Sequence, residues 1–195
     1  MDELQKYYKA SLLADLCAEY RGYWQAASHN KEALVRLAMS QQALPHVFTF
    51  AHNGNGMSEK YIKSNFGEYI NGNYIGIDVD GVKGEYKTEL YVGYNDVLSL
   101  SDDVTAFMWS DIPSLVIKPC KSTKLYIGCH SIVNLVCEGY NSVTVMLFDD
   151  SRIVLDDIDD DSTVIVYRYG EKAEVEFGEF CLSKKIKCFN KELRL

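Results

Sequence analysis

The stretch from Ser142 to Gly170, SVTVMLFDDSRIVLDDIDDDSTVIVYRYG, concentrates the acidic side chains that could do chemistry. Seven aspartates fall within it: Asp149, Asp150, Asp156, Asp157, Asp159, Asp160 and Asp161. Calcium takes several oxygen ligands from a loop, and carboxylates at this density can supply them. Asp156, Asp157, Asp159, Asp160 and Asp161 are therefore the candidate metal ligands. The EF-hand order D-x-[DN]-x-[DN]-G is missing, however, as is the glycine-rich nonapeptide of calcium-binding β-rolls. Aspartate also favours turns, because its side chain bonds the local backbone, and charge at a strand end discourages edge pairing. The balance predicts turn chemistry where the chain leaves each strand, with no resident metal.

Other candidates are weaker. Cys129-His130 followed by Cys137 is too loosely spaced for a zinc site, which normally announces itself through closely spaced ligand pairs. As nucleophile and base the pair also fails if it lies on a strand, where adjacent side chains point to opposite faces. The glycine-rich HNGNGMSEK (52–60) leads into a helix N-terminus, where backbone N–H groups can hold an anion. It lacks the spacing and the lysine-hydroxyl pair of a phosphate loop and the third glycine of a dinucleotide fingerprint, so it reads as a helix–helix connector. His46 and His52, six apart, do not share a helix face. No G-x-S-x-G elbow occurs. The sequence predicts no catalytic residue and no cofactor.

The elements that must position these residues change character along the chain. Leu4, Tyr8, Leu12 and Leu16 recur every four residues and predict an amphipathic helix that Gly22 ends or bends. Asn30 is a helix N-cap with Glu32 in the following turn, Pro45 opens a further helix, and Ser58 caps another over Glu59 to Phe66 that Gly67 closes. From about Tyr69 the period drops to two. Asn71-Gly72 and Asp80-Gly81 favour tight hairpin turns, and Tyr86, Thr88, Leu90 and Val92 alternate as in a strand with one buried face.

After Ser110 apolar residues two apart recur as Leu115/Ile117, Leu125/Ile127, Val133/Leu135, Val143/Val145, Ile153/Leu155, Val164/Val166 and Ala173/Val175. Successive pairs are 10, 8, 10, 10, 11 and 9 residues apart. Strand-plus-turn units of this length either fold back antiparallel, as a sandwich or jelly roll, or coil one way and stack in parallel, as a β-solenoid. The near-constant step and the wide Asp- and Ser-rich gaps favour the solenoid. The tail CLSKKIKCFNKELRL (about 181–195) leaves the period, turns basic, and reads as an end-cap. The fold class expected is thus α+β, with a helical head over 1–72 and a β-rich repetitive body over 73–195.

Charge narrows the partners. The net charge is −8, and residues 1–72 carry 7 basic and 7 acidic side chains against 13 and 21 in 73–195. An acidic body repels phosphate backbones and anionic membranes. The head has the outline of a helix-turn-helix, which makes a nucleic-acid-associated regulator the alternative reading, but Lys60 and Lys63 in the presumed recognition helix stand beside Glu59 and Glu68. MDELQKYYKASLLADLC has no apolar h-region, no 18-residue apolar run occurs, and the six cysteines contain no C-x-x-C. Together these predict no signal peptide, no membrane span and a cytoplasmic address.

MSEKYIKSNFGEYINGNYI (57–75), with its capped helix, Y-I-K-x-x-F and Y-I-N-G-x-Y-I, resembles a loose group of uncharacterised proteins of gut Bacteroidetes and their phages or mobile elements. The resemblance extends to the stretch around Trp24 and to the V-x-V repeats ending in VYRYG (166–170). It implies a helical head and a repetitive β tail, and carries no activity or site residue. The function expected is a non-enzymatic interaction or structural protein of a phage or mobile element, acting through a protein partner.

Overall fold

A computed structural model of the chain describes residues 3–13, 18–40, 43–70, 88–100, 103–119, 122–181 and 183–192. The chain divides into two compact units, Met1–Asn73 with Arg194–Leu195, and Tyr74–Leu193. The expected turns at Asn71-Gly72 and Asp80-Gly81, and the positions of Leu16 and Tyr86, lie outside the described residues. No helix among the described residues is long and apolar enough to cross a membrane.

The first unit is helical: α1 (Glu3–Leu13), α2 (Ala18–Ala27), α3 (Lys31–Ala38), α4 (Leu44–His52) and α5 (Glu59–Ile70). Asn30 caps α3 as its sequence predicts, its side-chain oxygen accepting from the Ala33 N–H at 3.1 Å. Pro45 sits in the first turn of α4, and the Ser58 hydroxyl accepts from the Tyr61 N–H at the start of α5. Two expected stops fail. Gly22 lies inside α2 with open space where a side chain would be, and α5 runs through Gly67 to Ile70. A helical glycine costs only about 1 kcal/mol, and burial of Trp24, Ala27 and Ile70 just beyond these positions outweighs it. Tyr7, Trp24 and Phe50 form the aromatic centre of the unit, with ring centroids 4.8 and 5.6 Å from Tyr7.

The second unit is a parallel β-solenoid of about five coils, each of about twenty residues. Its strands are β1 (Thr88–Val92), β2 (Leu98–Leu100), β3 (Val104–Trp109), β4 (Ile112–Ile117), β5 (Thr123–Ile127) and β6 (Ile132–Cys137). They continue as β7 (Ser142–Phe148), β8 (Arg152–Ile158), β9 (Thr163–Tyr169), β10 (Glu174–Cys181) and β11 (Ile186–Lys191). Among the described residues they form two sheets, in the orders β1-β3-β5-β7-β9-β11 and β10-β8-β6-β4-β2, with every pairing parallel. The antiparallel alternative is therefore excluded for these strands.

Stacking in register makes columns of like residues. Leu115, Leu135 and Leu155 stand over one another in one sheet, and Leu125, Val145 and Val166 in the other, all fully buried. Each such side chain contributes about 1.5–3 kcal/mol by leaving water. The alternate positions of the six-stranded sheet stack their rings instead. Phe107 lies 4.4 Å from Tyr126, Phe148 lies 4.9 Å from Tyr169, and the planes are within 20° of parallel.

The repeat is longer than the pairs from Leu115 onward suggest. It begins at β1, where one coil takes 17 residues (Thr88 to Thr105), and lengthens to 20 (Thr123 to Val143) and 22 (Val164 to Ile186). All five residues of β1 are buried, so its expected single buried face is corrected. At the other end the reading of 181–195 as a cap outside the period is also corrected. Ile186–Lys191 is the final rung, parallel to β9, with Ile186 and Cys188 in the core columns of Val164 and Val166. The last core pair in the smaller sheet is Val175/Phe177, in register with Ile153/Leu155. The expected pair Ala173/Val175 also belongs to the core, Ala173 buried just before β10 and Val175 packed against the core cluster within it.

Candidate interaction surface at the last coil

The aspartates serve the backbone of neighbouring coils. Asp159 accepts from the Gly139 N–H one coil before it. Two aspartates not singled out in the sequence do the same: Asp103 accepts from the Ser122 N–H at 2.7 Å, and Asp111 from the Ile132 N–H at 2.8 Å. Asp149 takes a positive φ of 56° in the turn after β7, and Asp160 and Asp161 occupy the turn after β8. Asp156 and Asp157 are placed otherwise than expected. They lie inside β8, not beyond it, at a register shift where Leu135 pairs with Leu155 but Val136 pairs with Asp157. The extra residue is Asp156, so both carboxylates face solvent without breaking the core column. Among the described residues no group of three or more His, Cys, Asp or Glu is placed to hold a metal ion.

Cys129 and His130 occupy a turn, both at positive φ, and not the strand on which their separation was argued. His130 pairs with Asp150, which stands one coil further along. Desolvation raises the Asp150 carboxyl, but His130, a backbone hydrogen bond and the charge of Lys172 together outweigh it and hold the group below its ordinary value. Cys137 is in the core, away from this turn's solvent side. In the head, the anion-binding reading of HNGNGMSEK is answered by the chain itself. Both the N–H and the hydroxyl of Ser58 donate to the Glu3 carboxylate at 2.8 Å, so a carboxylate already occupies this helix start. Gly56 is required by packing, because a Cβ there would meet the Ala51 nitrogen at 2.6 Å. Lys63 stands 3.8 Å from Glu59 on α5, which lowers its value as a phosphate contact.

Buried polar side chains hold the coil corners. The Ser162 hydroxyl donates to the Gly139 carbonyl at 2.6 Å and the Ser183 hydroxyl to the Ser162 carbonyl at 2.6 Å. Asn141, fully buried, donates to the Glu138 carbonyl at 2.9 Å. Such groups satisfy turn carbonyls that would otherwise be buried unpaired.

Among the described residues β1 and β2 at the first coil have one strand partner each, but they are mostly buried, whereas the last coil is exposed. Among the described residues β10 bonds only to β8 and β11 only to β9, so each has one unpaired edge. Phe177 continues the column of Leu115, Leu135 and Leu155, which are fully buried, yet Phe177 is 60% exposed. Phe180 and Phe189 are exposed on the same coil, in register with Asp157 and Tyr167, and Cys188 opens the column of Val166. Such an arrangement is the cross-section of a hydrophobic core left without its next layer. Beside it lies an open depression of about 530 Å³, lined by Arg168, Gly170, Glu171, Asn190, Lys191 and Glu192. Its mixed charges and open form suit a contact rim better than an enclosed small-molecule site.

The sequence signal for this surface was present in Val175-x-Phe177 and Ile186-x-Cys188, which keep the two-apart spacing. What hid it was the drift of the coil length toward 22 residues. Comparison of the chain with protein-family models, with curated proteins and with solved structures finds no match.

Proposed function

We propose that this protein is a non-enzymatic interaction or structural protein that engages a protein partner through the last coil of its solenoid. The observation that carries the reading is Phe177, in register with a fully buried leucine column but 60% exposed. Open strand edges and a bare core end attract another polypeptide, by strand addition and by burial of apolar area. A net charge of −8 favours a protein over a nucleic-acid partner. Cys181 and Cys188 are free thiols, which supports a reducing, cytoplasmic setting. The resemblance of residues 57–75 supports a phage or mobile element as its source.

The test is capture from a native lysate by immobilised full-length chain, compared with a Phe177→Asp/Phe180→Asp variant of equal thermal stability. The expected result is a partner that the wild-type chain retains and the variant loses. An identical set of retained proteins would refute the assignment of this surface.

A further inference from the structure

We infer that the partner for the last coil is a second copy of this chain, in a two-fold dimer that pairs β10 of each protomer antiparallel with β11 of the other. This rests on the reading of that coil as the interaction surface, and deepens it.

Charge on the two open strands is segregated. Strand β10 carries Glu174, Glu176 and Glu179 and no basic residue. Strand β11 carries Lys187 and Lys191 and no acidic one; Lys184 and Lys185 precede it and Glu192 follows it. The two strands run in opposite directions on opposite sides of the same core, because each is parallel to its own sheet and the chain reverses through residues 183–185.

Three stackings of identical copies bring strand edges together. Head-to-tail stacking would lay the last coil on β1, but all five residues of β1 are already buried. A two-fold axis across the strands sets β10 on β10 and β11 on β11, opposing glutamate to glutamate and lysine to lysine. A two-fold axis parallel to the strands sets β10 on β11, so that every acidic edge meets a basic one. Charge therefore selects the third.

The same symmetry sets the register. Rotation about an axis parallel to the strands leaves each residue's position along that axis unchanged. The connection through residues 183–185 places the Phe180–Cys181 end of β10 across the coil from the Ile186–Lys187 start of β11. Glu179 thus meets Lys187 of the other copy and Glu174 meets its Lys191, while Glu176 stays paired with Arg152 of its own chain at 2.9 Å. On the inner side, Val175, Phe177, Ile186 and Cys188 of both copies close one continuous apolar core. Each six-stranded sheet runs on into the five-stranded sheet of the other copy. The contact is isologous and uses the open end of both chains, so assembly stops at two.

Sedimentation velocity of the purified full-length chain across a wide concentration range is the first measurement. The expected species has twice the chain mass of 22.1 kDa. Two charge reversals follow, Lys187→Glu/Lys191→Glu and Glu174→Lys/Glu179→Lys. Each alone should weaken dimerisation by roughly tenfold or more, since like charges replace opposite ones across the contact. An equimolar mixture should recover a mixed dimer, because both of its strand pairs are again of opposite charge. Should a reversed chain misfold, hydrogen exchange on the wild-type chain decides instead, with amides of β10 and β11 gaining protection as concentration rises. A chain monomeric at every concentration would overturn the proposal, as would a dimer indifferent to both reversals. If that monomer still captures another protein in a Phe177-dependent way, only the second-copy inference falls; if capture also fails, both readings fall.

Discussion

Leu135 and Phe177 occupy one column of the smaller sheet, two coils apart, and differ in what lies beyond them. Leu135 is fully buried between Leu115 and Leu155, so Leu135→Ala removes its transfer free energy and leaves a cavity that rigid neighbouring coils cannot fill. A loss of about 3 kcal/mol follows, the middle of the usual range for such truncations. Phe177 is 60% exposed, so roughly two-fifths of a phenylalanine's burial is lost on Phe177→Ala, or about 1 kcal/mol. The cost also falls on a terminal coil, which can fray without unfolding the rest. The assay is urea denaturation of both variants at a concentration low enough to keep the chain monomeric, with intrinsic fluorescence and far-UV circular dichroism as probes. Leu135→Ala should shift the main transition, and Phe177→Ala should barely move it. Equal losses would refute the reasoning, because they would mean that the core end is already covered within the monomer.

Burial holds the Tyr7, Tyr20 and Tyr126 hydroxyls above the ordinary tyrosine range, and burial with the neighbouring Glu89 does the same for Tyr91. The unfolded chain ionises these groups near pH 10 while the folded chain keeps them neutral, so stability is fully present below about pH 10 and falls above it. Denaturation midpoints measured from pH 8 upward should show that decline, and an absorbance titration in which every tyrosine of the native protein ionises near pH 10 would contradict it. Gly178→Ala places a Cβ 2.7 Å from the backbone oxygen of Asp156 at the β8 bulge. Overpacking of this kind costs about 1–3 kcal/mol, and hydrogen exchange should locate the loss in β10, leaving β5 and β6 protected. Asn141→Ala removes a buried donor from the Glu138 carbonyl. A drop of about 1–3 kcal/mol is expected, and an unchanged melting temperature would show that this corner is held by backbone bonds alone.

Much of the body was legible from residue order because a solenoid repeats one local solution. Pairs such as Val133/Leu135 and Ile153/Leu155 mark inward positions, and the ten-residue step marks half a coil. Helix caps were equally local, and Asn30 and Ser58 act where their side chains can reach the first turn. The stops at Gly22 and Gly67 were misjudged because tertiary burial overrides a propensity of about 1 kcal/mol. The aspartates divided for a related reason. Those at corners follow from turn chemistry, whereas the place of Asp156 and Asp157 within β8 depends on a bulge that only pairing with β6 and β10 reveals.

Composition and periodicity by themselves determined that this chain has a helical part and an acidic, repetitive β part. Those properties are sums over local choices: which residues turn, which alternate, which cap. Whether the repeats stack or fold back, and where the stack is left open, are questions of which strand lies beside which. Val175 and Phe177 keep the same two-residue spacing as the inward pairs before them. Only stacking shows that nothing described follows them in the sheet, and that the glutamates of β10 and the lysines of β11 rim the same exposed end of the core.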